Sequence, residues 1–154
     1  MKIFPSVPAL LNAVGQHFGP TGAIAVDQER IDRFADATGD HQWIHVDAAR
    51  SRVGPFGATI AHGYLTLSLV SIFLPELLQV EKAAMSINVG LNRVRFLAPV
   101  PVDSQLIATA TLSSAREKGG GVQIVLAVAI TIKGKETPAC LADAVIRFYP
   151  EVPR

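Results

Sequence analysis

Two short stretches of the chain hold side chains able to move a proton. Asp40 and His45 lie five positions apart, between two segments of helical pattern. A loop of that length can turn both side chains to one point. A carboxylate and an imidazole sharing one water form a general acid/base unit. Further on, Ala61-His62-Gly63 opens an apolar helix. Free backbone N–H groups at a helix start point outward and favour negative charge. Gly63 has no side chain to block a carbonyl oxygen, so its N–H is a candidate oxyanion donor, a role worth roughly 10²–10³-fold in rate. His62 beside it reads as support for the loop through hydrogen bonds.

Other polar residues carry less. His41, His45, His62, Asp40 and Asp47 form no strong ligand motif such as His-Glu-x-x-His, so no metal is expected. Cys140 sits on an alternating apolar face and reads as a small core residue rather than a nucleophile. Ser68 and Ser71 lack a Gly-x-Ser-x-Gly setting, which argues against a serine hydrolase. Asn88, Asn92, Arg93 and Arg95 read as solvated strand residues, with the arginines alternatively placed to touch the phosphates of a carrier.

The elements that must hold the first group in place follow from periodicity. Gly19 to Gly22 is a turn, and Ala23 to Val26 a short strand. Asp27 caps a helix over Gln28 to Thr38, with Ile31, Phe34 and Ala35 on one face, and Gly39 stops it. Asp40 to Val46 reads as a loop, and Asp47 as the cap of a short turn through Ala48 to Arg50. After the Gly54-Pro55-Phe56-Gly57 loop, a long helix runs from about His62 to Leu74 or Leu78. It is apolar over most of its circumference, with Leu65, Leu69, Ile72 and Phe73 in one stripe, so burial is expected. Four strand candidates follow: Ala84 to Phe96, with a parity switch near Asn92 that suggests a bulge, then Ser104 to Ser113, Val122 to Ile132 and Ala139 to Tyr149. Short turns make strands antiparallel neighbours, which predicts a four-stranded meander beside one early strand and a buried helix, an α+β layer fold.

Composition bounds the reading. The 154 residues fit one domain over 1–154. With 49% hydrophobic and 18% charged residues the chain is too apolar for disorder, and its mean hydropathy of +0.34 suggests apolar surface buried between subunits. A net charge of +1 with no basic block gives no nucleic-acid footprint. One cysteine excludes an intrachain disulfide and suits a reducing, cytoplasmic setting. No secretory signal is expected in residues 1–19. Pro75 and Glu76 break the most apolar stretch, so no membrane span is expected.

The linked segments, Gly39-Asp40, His45-Val46-Asp47 and Ala61-His62-Gly63, resemble the MaoC-like family of R-specific enoyl-CoA hydratases, and most of all its NodN-like branch. The likeness is strongest over residues 34–74 and extends more loosely through the later strands. Gly-Asp alone is a common turn signal, but the linked motif favours catalysis. The resemblance implies a hotdog fold, an antiparallel sheet wrapped around a long central helix, in a homodimer. It implies that Asp40 and His45 hold the catalytic water and that the Gly63 N–H receives the thioester oxygen. It places Ser71, nine residues after His62, near the pair, and sets Gln42, Trp43 and His62 on the substrate side. The family commonly has Asn-Pro where this chain has Gln42-Trp43, so the loop shape differs and Trp43 would narrow the acyl pocket or line its mouth. The activity implied is reversible hydration of trans-2-enoyl-CoA to the (R)-3-hydroxyacyl thioester, with no cofactor and with acyl-carrier protein as a second possible carrier. A hotdog acyl-CoA thioesterase and a non-catalytic acyl-thioester binding module remain as alternatives. Free thiol release would mark the first, and binding without turnover the second.

Overall fold

The computed structural model describes residues 1–152. Asp27 caps α1 (Gln28–Thr38) by accepting a bond from the Arg30 N–H at 2.9 Å, and Gly39 ends it at φ 77° with its N–H on the Ala35 carbonyl. A positive φ there is cheap only for glycine, and it redirects the chain into Asp40. The expected loop contains one helical turn, α2 (Trp43–Val46). Asp47 then caps α3 (Ala48–Arg52) through the Arg50 N–H at 2.9 Å.

The long apolar helix forms as two nearly continuous pieces, α4 (Gly63–Ser68) and α5 (Val70–Leu77), joined at Leu69. Its inner side buries Leu65, Leu69, Val70, Phe73 and Leu77. The other side is not covered: Tyr64 is 73% exposed and Ile72 45%, with Ser71 also exposed. Ile72 therefore leaves the core stripe assigned to it from spacing.

The main sheet contains β2 (His17–Phe18), β3 (Ile24–Val26), β5 (Met85–Phe96), β6 (Ser104–Lys118), β7 (Gly121–Ile132) and β8 (Cys140–Tyr149). Its order is β2-β6-β7-β8-β5, with β3 also on β6. Only β6, β7 and β8 form a meander. β5 pairs antiparallel with β8, not with β6, which corrects the four-stranded meander. The reason lies in residues 97–103, which cross to the far side of the sheet and pair at Pro101 with Ile60 instead of turning tightly. Register shifts in β5 fall between Asn88 and Gly90 and between Leu91 and Val94, the second spanning the expected parity switch. One face of β6, β7 and β8 is buried against the helix, including Leu106, Leu112, Ile124, Leu126, Ile130 and Ile146. This antiparallel sheet around a central helix is the hotdog arrangement.

A separate pair, β1 (Lys2–Phe4) and β4 (Leu78–Val80), runs parallel and ties the N-terminus to the end of α5. A 3-10 turn (Val7–Asn12) follows β1 and buries Val7 and Leu10 in the core. No helix of the described residues is long and apolar enough to cross a membrane.

Candidate active site

His45 lies on α2 and is 6% exposed. Its Nδ1 is 2.7 Å from the Ile60 carbonyl. A carbonyl only accepts, so Nδ1 carries the proton and Nε2 of the neutral ring keeps a free lone pair. Burial is the main cause that holds His45 below its ordinary value. The neighbouring His62 adds to the lowering, while the Ile60 carbonyl and the Asp40 carboxylate act against it. The neutral ring is thus favoured near pH 7, the state a general base requires.

Ile60 is itself held on both sides. Its N–H donates to the Ile44 carbonyl at 3.0 Å, and the next N–H, of Ala61, donates to the Val100 carbonyl at 2.8 Å. Residues 59–61 are therefore clamped between α2 and the crossover before β6. Gln28, the first residue of α1, completes the frame. Its Nε2 donates to the His45 carbonyl at 2.8 Å and to Asp32 at 2.7 Å, while its Oε1 accepts from the Thr59 hydroxyl at 2.5 Å. Sequence reasoning passed over Gln28 and Thr59. An amide in a first helical turn looks like a solvated position, and nothing local marks a partner 31 residues away.

Asp40 follows the glycine that ends α1, and its side chain is exposed. One side-chain ligand atom from each of Asp40, His45 and His62 lies within 4.8 Å of the other two. The two rings stack with centroids 3.8 Å apart and planes 24° from parallel. Two near-parallel ring planes do not meet close to the rings, so their in-plane lone pairs share no near point, and each ring has one nitrogen committed to a carbonyl. Such a donor set suits proton transfer better than tetrahedral metal ligation. His41, the other histidine of the loop, turns outward to Asp36 at 2.9 Å.

A cavity of about 380 Å³ opens against His45. Gly63, Thr66, Phe56, Phe96 and Val100 also line it, and only His45 and Thr66 bring polar side chains. Gly63 starts α4, where the first N–H groups have no partner within the helix. The Phe96 ring packs against Gly63 so closely that a Cβ there would lie 3.1 Å from it. His45 thus stands in two groups at once: its side chain lies with those of Asp40 and His62, and with Gly63 it lines the cavity. His62, expected on the substrate side, joins the cluster but does not line this cavity, and Ser71, Trp43 and Gln42 lie outside both groups. Ser71 lines a different cavity, between α5 and β5, with Asn88 and Leu91. Trp43 packs against Gly54 and under the Arg50 guanidinium, 4.3 Å from the ring centroid, and is not among the residues lining the His45 cavity. Gln42 is exposed at the start of α2.

Residues 10–132 match the family model described as the MaoC like domain. The chain belongs to the MaoC-like family. One relative, 3-hydroxyacyl-thioester dehydratase Z of Mycobacterium tuberculosis, is 44% identical over 149 residues, covering 96% of this chain and 99% of that protein. Nodulation protein N of Rhizobium leguminosarum bv. viciae is 41% identical over 142 residues, covering 89% of this chain and 88% of that protein. Among solved structures, an R-hydratase from Pseudomonas aeruginosa in its unliganded form superposes with a TM-score of 0.72 at 25% identity, covering 90% of this chain and 83% of that one. The (R)-hydratase from A. caviae involved in PHA biosynthesis gives 0.71 at 26%, covering 86% and 94%. This MaoC-like chain is a hydro-lyase.

Proposed function

We propose that the chain adds water reversibly to trans-2-enoyl thioesters, giving (R)-3-hydroxyacyl thioesters, with CoA as the carrier. The reading is supported by His45, which shares a side-chain cluster with Asp40 and lines one largely apolar cavity with Gly63, in a MaoC-like chain. The acyl group occupies the cavity, with its thioester oxygen on the Gly63 N–H. One water sits between the Asp40 carboxylate and His45 Nε2. His45 takes a proton from that water as its oxygen bonds to C3. The electron pair of the C2–C3 double bond moves toward the thioester, and the Gly63 N–H stabilises the enolate-like oxygen. Asp40 orients the water by accepting a hydrogen bond from its second O–H, which stays on the product as the 3-hydroxyl. His45 then gives the proton it took to C2 on the same face, which returns both residues to their starting states. No step needs a redox cofactor.

The protein works as a homodimer in this reading. β5 ends the sheet, with Ile87, Val89 and Leu91 each more than 40% exposed. A long apolar edge of this kind invites a partner strand.

Incubation with crotonyl-CoA tests the activity. Loss of enoyl absorbance with formation of (R)-3-hydroxybutyryl-CoA is the expected result. Release of free CoA thiol without hydration would replace it by a thioesterase, and saturable binding without turnover by a binding module.

A further inference from the structure

His62 touches both members of the acid/base pair without lining the cavity. Its side chain is 2% exposed. One contact is the stack on the His45 ring. Another is a bond from Nε2–H to the Asp40 backbone carbonyl at 2.9 Å. Phe34 from α1 packs against the same ring with centroids 5.0 Å apart. Because the acceptor is a carbonyl, the His62 proton sits on Nε2 and Nδ1 is left with a lone pair. That Nδ1 is buried and has no hydrogen-bond partner. A ring present only for packing would do better as phenylalanine, which buries no orphaned nitrogen.

We propose that His62 is the positioning residue of this site, tying the Asp40 backbone to the His45 imidazole so that carboxylate and base face each other across one water. Its kinetic consequence rests on the hydratase reading, whereas its geometric content stands on the contacts alone. The two rings carry opposite tautomers, Nδ1–H on His45 and Nε2–H on His62, each fixed by a carbonyl. The titratable groups facing His45 are Asp40 from the loop and His62 from the start of α4. Asp32 on α1 reaches it only through Gln28. Loss of the second imidazole removes one of the causes that lower His45.

Two substitutions separate the contacts. His62→Phe keeps a ring on His45 and loses the donor to Asp40. His62→Gln keeps an N–H able to reach the Asp40 carbonyl and loses the stack. With crotonyl-CoA, His62→Phe is expected to lower kcat by about 10–100-fold with little change in KM. His62→Gln should lower it less, and in both variants the acid limb of kcat/KM moves to higher pH. Parental kcat and an unmoved acid limb in both variants would overturn the proposal. The parent protein supplies a reading that depends on neither turnover nor variant folding. Ring nitrogen NMR should show Nδ1–H on His45 and Nε2–H on His62 at pH 7.5. A His62 ring protonated on Nδ1 would overturn the proposal even if the variants failed to fold. A parent protein with the expected tautomers but no action on crotonyl-CoA would support the ring contacts and count against the hydratase reading instead.

Discussion

Gly63 and Phe96 meet so closely that the first helical residue of α4 has no room for a side chain unless the ring moves. A Cβ on Gly63 would lie 3.1 Å from two atoms of the Phe96 ring and 3.2 Å from a third. Phe96 comes from the end of β5 and is 47% exposed, so it can yield by a few tenths of an ångström. Gly63→Ala is therefore expected to fold, with stability within about 1 kcal/mol of the parent. The new methyl group stands beside the proposed oxyanion donor and displaces the aromatic wall of the cavity. A fall of about 10–100-fold in kcat/KM for crotonyl-CoA is expected. Phe96→Ala in the same chain should recover part of it. A double-mutant cycle on kcat/KM checks this coupling, and strictly additive effects would refute it.

Gln28 holds three polar partners with one amide. Gln28→Leu keeps the approximate volume and strands the Thr59 hydroxyl and the His45 carbonyl. The expected loss is about 1–3 kcal/mol in urea unfolding. Because the same amide fixes the backbone that carries His45, kcat should fall as well, with KM less affected. Unchanged stability would show that solvent replaces the amide.

The titration of His45 has a definite sign in stability. Its folded value lies below the ordinary 6.5, chiefly through burial. In the unfolded chain the ring protonates near the ordinary value. Between that value and the lower folded one, the unfolded state binds more protons, so stability falls as pH falls. Above about 6.5 this contribution is fully present. The melting temperature measured from pH 8 downward should decline through this window, and His45→Gln should flatten that part of the profile. An identical decline in the variant would assign it to other groups.

Cys140 tests the core rather than the site. It is fully buried at the start of β8, and burial pushes its thiol up to about 11. The native protein should resist alkylation at pH 8, and the unfolded protein should react fully. Rapid reaction of the native protein would show that this end of β8 opens.

Devices that act within a few residues were legible before the structure. The Asp27 and Asp47 caps, the Gly39 stop and the bulge in β5 each have a local chemical signature, and they appear where spacing put them. The nearness of Asp40 to His45, and of His45 to Gly63, was legible through their linked spacing. Pairings between distant segments were not. The parallel contact of β1 with β4 and the crossover through Val100 depend on the folded arrangement of the whole chain. The Gln28–Thr59 bond is of the same kind. Periodicity also overstated the burial of the central helix, because Tyr64 and Ile72 are apolar yet face outward. The sequence also gives no sign that Trp43 packs on Gly54 and under Arg50, away from the lining of the His45 cavity.

The most direct test compares the parent protein with Asp40→Asn and His45→Gln in crotonyl-CoA hydration, with circular dichroism to establish that each variant is folded. Both substitutions keep size and hydrogen-bonding capacity while removing the proton-transfer group. Each folded variant is predicted to lose turnover by about 10²–10⁴-fold. Folded variants that hydrate crotonyl-CoA as fast as the parent would contradict the assignment of the pair.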